Sequence, residues 1–322
     1  MKNIFILILL INSMIFAQSI NRKYLVEEKI SGGSESVSEF NIVGYSIKSV
    51  DDKLLYKISN KTDYDIPYSG IEVFDNGNSV LISAFYGTLT FFSNNGTRLK
   101  EIKLSKDIEV EYERNIKSVV DNNSLLVVFR EENSNYSTLQ KYNSNGTLVK
   151  GFEIEETNIN GLAYSESLNK IYISSVEWEN SGSMNKVISL INEGGELLKS
   201  YNANFEKGFF TEDNQFIAFS NKSLMSINTE NFELNLRNEL NNDELYIHVT
   251  VSKESIVAIT TKSPKLKGGK WFYKNPTIIK MDLSGKLIEK NVVEINSFSE
   301  FSFKKTNTVL RFIAGNKNIT IE

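Results

Sequence analysis

The chain has 322 residues, a formal net charge of −4 at pH 7, one histidine and no cysteine. Without cysteine the chain forms no disulfide bond and carries no lipid on an N-terminal cysteine. A single histidine excludes multi-histidine and cysteine zinc sites, and a serine triad would have to use that histidine, His248. The small net charge gives no reason to expect nucleic acid as a partner.

The first predicted element is a secretory signal over residues 1–19. A charged start is followed by the apolar run Ile4–Leu10 and by the small exit residue Ala17. The run is too short for a bilayer span, and no later run approaches the roughly 20 apolar residues of a transmembrane helix. We therefore expect a periplasmic or secreted protein without stable membrane insertion after cleavage. The alternative is an uncleaved membrane anchor.

One unit of four strands recurs about six times in residues 20–322, which we interpret as a single domain. The turn between its first two strands repeats at residues 75–77, 121–123, 166–169, 212–214, 252–254 and 304–307. The turn before its fourth strand repeats at residues 51–52, 93–97, 144–147, 193–195, 230–231 and 282–285. Repeats of roughly 40 to 50 residues with four strands each predict the blades of a β-propeller, because a lone sheet cannot bury both of its faces.

The predicted fold is all-β, a six-bladed β-propeller with four-stranded antiparallel blades. The apolar run at Ser124–Phe129 is nearly continuous, which is typical of a strand covered on both faces. The turn before the fourth strand first occurs at residues 51–52, ahead of the first turn between strands one and two at residues 75–77. The chain therefore starts partway through a blade, and strands from both termini would share one closing blade. Residues 40–58 and the segment from Phe301 onward would form it. Residues 318–321 could supply the third strand of this closing blade, which would leave residues 23–29 without a place in it. A ring of seven blades is the alternative.

The connections of such blades alternate between the two ends of the ring. One end receives tight turns, and the other receives the long connections at residues 61–69, 106–115, 131–136, 177–185, 238–244 and 262–275. Binding residues usually lie on loops that a rigid scaffold presents, so we predict a binding surface at the second end of a monomeric protein. The candidate binding residues are Tyr68, Arg114, Trp178, Lys270, Trp271 and Tyr273.

The most distinctive connection is the segment 262–274, which combines five lysines with the adjacent aromatic residues Trp271, Phe272 and Tyr273. Cations beside stacking rings suit an anionic or sugar-like ligand, or a partner protein. The alternative is a hairpin extension whose aromatic residues pack on their own blade while the lysines stay solvated.

A second set of candidates belongs to an enzymatic alternative. His248 lies on a predicted innermost strand, where it could carry a proton at the mouth of the channel or serve only in packing. Its catalytic partners would be Glu72, Asn115, Asn160 and Glu300, which could surround a calcium ion because calcium prefers oxygen ligands. Outside this alternative we expect no metal and no cofactor. The sequence has no Gly-x-Ser-x-Gly elbow and no phosphate-binding glycine loop.

In its repeats the chain resembles exported bacterial β-propellers with NHL, PQQ-type or WD40-like repeats. It lacks the Gly-His and Trp-Asp pairs of WD40 blades and the Ser-x-Asp-x-Gly-x-Thr-Trp box of sialidases. The difference between the two ends and the absence of catalytic signatures favour a binding or scaffold module for a protein or glycan at the cell envelope, rather than an enzyme. The remaining alternative is a calcium-dependent hydrolase similar to propeller lactonases.

Overall fold

The computed structural model describes most of the chain between residues 24 and 321. The described ranges are 24–31, 41–49, 51–59, 69–83, 87–104, 116–131, 134–155, 158–178, 184–211, 214–251, 255–262, 265–267, 270–284, 286–295, 301–305, 310–314 and 317–321. Within them every helix or strand assignment is a β-strand. The signal predicted over residues 1–19 lies outside these ranges.

The described strands form seven sheets of three or four strands, which we name A to G in chain order, and one further two-stranded hairpin. Sheet A contains β1 (Tyr24–Ser31), β2 (Asn41–Ser49) and β3 (Leu54–Ser59). Sheet B contains β4 (Ser69–Val73), β5 (Ser79–Ser83), β6 (Thr88–Phe92) and β7 (Arg98–Lys103). Sheet C contains β8 (Lys117–Asp121), β9 (Ser124–Arg130), β10 (Ser137–Asn143) and β11 (Leu148–Ile154). Sheet D contains β12 (Ile159–Ser165), β13 (Lys170–Trp178), β14 (Met184–Asn192) and β15 (Leu197–Tyr201).

The remaining sheets continue the series. Sheet E contains β16 (Lys207–Phe210), β17 (Gln215–Phe219), β18 (Ser223–Asn228) and β19 (Leu234–Glu239). Sheet F contains β20 (Glu244–Val251), β21 (Ser255–Lys262), β24 (Thr277–Asp282) and β25 (Leu287–Val292), with the separate hairpin β22 (Lys265–Lys267) and β23 (Lys270–Phe272) inserted before β24. Sheet G contains β26 (Phe301–Lys305), β27 (Leu310–Ala314) and β28 (Lys317–Ile321).

Within each sheet the described strands pair antiparallel, and the turns predicted at residues 75–77, 121–123 and 166–169 fall between the first and second strands. In the turn between the first and second strands, a residue with positive φ recurs at Gly77, Asn122, Asn169 and Asn214. Glycine has no Cβ and asparagine tolerates the left-handed region, which explains why these two residue types recur there. The prediction of four-stranded antiparallel units is therefore confirmed.

The hydrophobic core lies between the sheets. Each described core cluster joins two consecutive sheets, from A and B through to F and G. Phe91 of sheet B lies 6.1 Å from Tyr142 of sheet C between ring centroids, and Tyr172 of sheet D stacks on Phe216 of sheet E at 4.0 Å. All residues of β9 except Arg130 are buried, because neighbouring sheets cover both of its faces. The outer strand β11 is mostly exposed.

The first strands of sheets C, D and E lie innermost. Strand β12 contacts both β8 and β16, the first strands of the sheets on either side. All three strands run in the same direction, because each follows a connection from the previous sheet and leads into a tight turn. Their first residues therefore meet at one end of the ring axis.

The two terminal sheets differ from the prediction of one shared closing blade. Strand β1, which the six-bladed prediction left without a place, pairs with β2 along its whole length, from Tyr24 opposite Ser49 to Ser31 opposite Asn41. The N-terminal strands thus form a sheet of their own, and among the described residues none of them pairs with sheet G. Seven sheets agree with the seven-bladed alternative, but the number of blades that close the ring stays a prediction.

Candidate functional site

The two ends of the ring differ in the kind of connection that they carry. The turn end carries the tight turns between first and second strands and between third and fourth strands. The loop end carries the other connections, among them the segments 104–116, 179–183 and 263–276. We compare the two ends in order to find the surface that is available for a partner.

At the turn end, hydrogen bonds join sheet B to sheet C. The backbone N–H of Asp75 donates to the carbonyl of Asn122 at 2.8 Å. The side-chain amides of Asn76 and Asn78 donate to the hydroxyl and the carbonyl of Ser144, at 2.8 and 3.1 Å. Two turns of sheet C therefore hold one turn of sheet B.

The junction of sheets C and D is held by charged groups. The Nζ of Lys141 lies 2.8 Å from Oε1 of Glu193 and 3.2 Å from Oε1 of Glu166. The hydroxyl of Tyr164 donates to the same oxygen of Glu193 at 2.5 Å, and the hydroxyl of Ser124 donates to Glu166 at 2.7 Å. The Lys141 side chain is only 12% exposed, whereas those of Glu193 and Glu166 are 25% and 36% exposed, so the network is shielded from water mainly at its lysine.

The pKa values at this junction favour the charged pair. Burial acts to lower the pKa of Lys141, but hydrogen bonds to Glu193 and Glu166 outweigh it and the pKa is raised. Burial acts to raise the pKa of Glu193, but hydrogen bonds from Lys141 and Tyr164 outweigh it and the pKa is lowered. Both groups therefore stay ionised at neutral pH, which suits a structural ion pair and gives no sign of a general acid or base.

Two further junctions of this end are similar. Tyr56 of sheet A donates to the carbonyl of Gly77 in sheet B at 2.8 Å. Tyr201 of sheet D donates to the carbonyl of Phe232 in sheet E at 3.0 Å, and Lys170 of sheet D donates to the carbonyl of Thr229. Hydrogen bonds join sheets at the loop end as well, where Lys222 of sheet E donates to the carbonyls of Asn241 and Asn242 in the connection to sheet F. The two ends therefore differ in the length of their connections rather than in the use of their polar groups.

The loop end presents a cluster of polar residues around the axis, which we call the axial mouth. It consists of Lys117 at the start of β8, Asn160 near the start of β12, and Glu206 and Lys207 at the start of β16. All four are partly buried. They come together because their strands are innermost and begin at the same end of the ring.

The environment of Glu206 defines the electrostatics of the axial mouth. Burial raises the pKa of Glu206, while the positive charges of Lys207, Lys117 and Lys186 act in the opposite direction. Lys186 lies on β14 of the neighbouring sheet and is exposed. The Oδ1 atom of Asn160 is buried and has no hydrogen-bond partner among the described residues. Asn160 is the one residue of the axial mouth that was predicted as a site residue from the sequence. Polar residues recur at the starts of the predicted first strands, and this signal could have indicated the others.

The lysine-rich connection forms the hairpin of β22 and β23, in which Leu266 pairs with Trp271. Tyr273, which follows the hairpin, is 3% exposed and belongs to a core cluster with Ile259 and Phe312. Its ring is therefore buried in the core between sheets F and G and is not part of the exposed surface of the loop end. Lys265 and Lys274 are exposed.

The other predicted binding residues are placed only in part. Trp178 ends β13 and pairs with Met184, and Lys270 and Trp271 lie on β23, all at the loop end. Tyr68 and Arg114 lie outside the described residues. The selection of these residues for binding stays a prediction.

The residues of the enzymatic alternative are likewise placed in part. His248 lies on β20 and is 4% exposed, and Glu72 lies on β4 and is partly buried. Asn115 and Glu300 lie outside the described residues, so their distance from Asn160 is untested. Across the described ranges, no three Asp, Glu, His or Cys side chains form a group that could hold a metal ion. A search of the same ranges for a long apolar helix able to cross a membrane found none.

Comparison with solved structures identifies the fold. A virginiamycin B lyase from Staphylococcus aureus matches with a TM-score of 0.56 and 11% identity, over 92% of this chain and 98% of that chain. A chain of the mitotic checkpoint complex matches with a TM-score of 0.55 and 10% identity, over 87% and 81%. The Dos1 propeller matches with a TM-score of 0.51 and 10% identity, over 87% and 72%.

These matches and the sheet topology define the chain as a β-propeller, as its repeats predicted. At 10–11% identity the likeness extends to the fold alone. No protein-family model matches the chain, and no curated protein matches it. Function must therefore be argued from the site rather than from a relative.

Proposed function

We propose that this chain is an exported β-propeller that binds a protein or glycan at the cell envelope through its loop end. The observation that carries the proposal is the difference between the two ends. The connections of the turn end are tight turns, whereas the loop end holds the longest connections and an added hairpin. One chain of similar fold belongs to a protein complex, which agrees with a binding role.

The hairpin of β22 and β23 is the part of the loop end best suited to contact a partner. It is anchored at its base, because Tyr273 is buried and the hydroxyl of Thr261 donates to the carbonyl of Lys274 at 2.9 Å. An anchored hairpin loses less conformational entropy on binding than a free loop would. Its exposed lysines favour a partner with negative charge.

Charge reversal at the hairpin tests the proposal. The double variant Lys265→Glu/Lys274→Glu should weaken capture of envelope proteins or acidic glycans about tenfold or more, since lost attraction becomes repulsion. The matched control is Lys150→Glu/Lys199→Glu, which reverses two exposed lysines on the outer strands β11 and β15. Pull-down from envelope extract of the source cell and a glycan array give the readout. Equal capture by wild type and the hairpin variant would argue against the loop end as the binding surface.

A further inference from the structure

The hairpin of β22 and β23 has only two strands. Strand β22 pairs with β23, and among the described residues no further strand joins either of them. A two-stranded hairpin is at best marginally stable in water and gains from a third strand. The backbone groups along a free strand edge can pair with another chain. The hairpin therefore offers an edge to a partner.

The sequence keeps the hairpin apart from the blade that carries it. Pro264 lies between β21 and β22 in the chain and has no N–H to donate to a strand ladder. After β23, the backbone N–H of Asn275 donates to the carbonyl of Ile295 at 3.1 Å. The N–H of Val293 donates to the carbonyl of Pro276 at 2.8 Å. The base of the hairpin is thus held by its blade, while its two strands belong to a sheet of their own.

The pairing of the hairpin determines which backbone groups point to its free edges. Lys267 lies opposite Lys270, with two residues between them in the chain, and Leu266 lies opposite Trp271. In a hairpin with a two-residue turn, the pair that closes the turn exchanges hydrogen bonds, and the next pair does not. The N–H and C=O groups of Leu266 therefore point away from β23, to the free edge of β22. Those of Trp271 point to the free edge of β23.

The same pairing sorts the residues of the hairpin by face. Successive residues of a strand belong to opposite faces, and residues directly opposite each other share a face. Positions 265, 267 and 270, which are all lysine, therefore belong to one face, and Leu266 and Trp271 belong to the other. The segment 262–276 contains no acidic residue. The hairpin is thus a basic unit in which charge and apolar character alternate.

A strand added along β22 would meet this alternation residue by residue. Acidic side chains at every second position would lie beside Lys265 and Lys267, and apolar side chains between them would lie beside Leu266. Opposite charges and apolar pairs on neighbouring strands stabilise a sheet, whereas like charges destabilise it. We propose that the free edge of β22 binds an extended peptide of alternating acidic and apolar residues as a third strand. This inference rests on the proposed function, since it names the class of partner for the hairpin.

Calorimetric titration of the mature chain with the peptide Glu-Val-Glu-Val-Glu-Val-Glu tests the pattern. The control peptide Glu-Glu-Val-Val-Val-Glu-Glu has the same composition and charge without the alternation. The alternating peptide should bind about tenfold more tightly, because only this peptide places its charges on one face and its apolar side chains on the other.

Two N-methylated forms of the alternating peptide test strand addition itself. One form carries methyl groups on the valine amides, and the other carries them on the interior glutamate amides. Only one of these two sets of N–H groups points toward β22 in an added strand. One form should therefore lose at least tenfold in affinity, while the other should bind about as the unmodified peptide does.

Variants of the protein test which edge is used. Leu266→Pro removes the outward N–H of β22 and should weaken binding of the alternating peptide about tenfold or more. The matched control Trp271→Pro removes the corresponding N–H on the edge of β23 and should bind as wild type does. If Leu266→Pro disturbs the hairpin, the two methylated peptides decide with the wild-type protein.

Three results would overturn strand addition: no binding of the alternating peptide, equal affinity of the two methylated forms, or equal loss of binding in Leu266→Pro and Trp271→Pro. If strand addition is overturned while capture from envelope extract still depends on Lys265 and Lys274, the hairpin binds through charge alone and the proposed function stands. An acidic glycan is then the expected partner. If capture does not depend on these lysines either, both proposals are rejected.

Discussion

At the junction of sheets C and D, one lysine joins two carboxylates that belong to different turns. The Glu193 side chain is 25% exposed and accepts hydrogen bonds from both Lys141 and Tyr164. An ion pair this well shielded contributes more than an exposed one, mainly because removal of one partner leaves the other groups unpaired. The pair therefore specifies how the two sheets meet.

Glu193→Gln should lower the free energy of unfolding by about 1–3 kcal/mol at pH 7, since buried polar groups lose a charged partner. The pKa of Glu193 is lowered in the folded protein, so its contribution is present above the ordinary value of 4.5 and is lost as pH falls through the folded pKa. The difference between wild type and variant should therefore shrink below pH 4.5. Urea unfolding at pH 7 and at pH 3.5–4 measures it.

The control for this prediction is Glu153→Gln, which changes an exposed carboxylate on β11 and should alter stability by less than about 0.5 kcal/mol. A difference that stays constant from pH 7 to below pH 4.5 would contradict the role of the Glu193 carboxylate.

Some residues of the turn end were predictable and others were not. Asn122 and Asn169 follow from local turn chemistry, because the positive φ of the turn selects asparagine or glycine whatever the rest of the chain does. The pair of Lys141 and Glu193 was not predictable, since the residues are far apart in the chain and meet only through the packing of two sheets. The same reason hid Lys117 and Glu206 at the axial mouth.

Among the structural elements, the turn before the fourth strand has a role beyond reversal of the chain. Gly96, Gly146 and Gly195 have positive φ, and each lies against an aromatic ring of the preceding sheet. These rings belong to Tyr56, Phe91 and Phe152. The repeated glycine thus serves both the turn and the contact between sheets, which explains why this turn is clear in the sequence.

Gly146→Ala should destabilise the protein by about 1–3 kcal/mol, for two physical reasons. The backbone has φ of 78°, which disfavours a side chain, and the new Cβ would lie 2.8 Å from the ring of Phe91. The matched control is Gly151→Ala on β11, where the nearest atom would be 3.5 Å away. That change should be neutral or slightly stabilising, because alanine has less freedom in the unfolded chain. Thermal unfolding of both variants gives the comparison, and equal losses would contradict the role assigned to Gly146.

Strand β1 is an element that the sequence analysis left unassigned. Its sequence places Glu27, Glu28 and Lys29 together, so it lacks the apolar run that marks the middle strands. Its pairing also shifts register between Lys29 and Ile30, which obscures the alternation of side chains. The segment forms a strand because it pairs with β2, and not because its own composition favours one.

In the whole molecule, stability is shared, because among the described residues the core clusters lie between sheets rather than within one sheet. Each described core cluster takes side chains from two consecutive sheets, so the loss of one sheet exposes the faces of its neighbours. Such coupling should make the ring unfold as one cooperative unit. The radial arrangement followed from the repeats alone, whereas the pairing of the terminal strands depended on contacts between distant segments.

Two tryptophans allow this cooperativity to be tested. In a Trp271→Phe background, Trp178 on β13 reports on sheet D, while far-UV circular dichroism reports on all sheets. Phe91→Leu weakens the packing of sheets B and C, where Phe91 lies 6.3 Å from Phe74 and 6.1 Å from Tyr142 between ring centroids, and should cost about 1–2 kcal/mol. We expect the urea midpoint to fall by the same amount with both probes. A Trp178 midpoint that stays in place while the circular dichroism transition broadens or splits would show that the blades unfold independently.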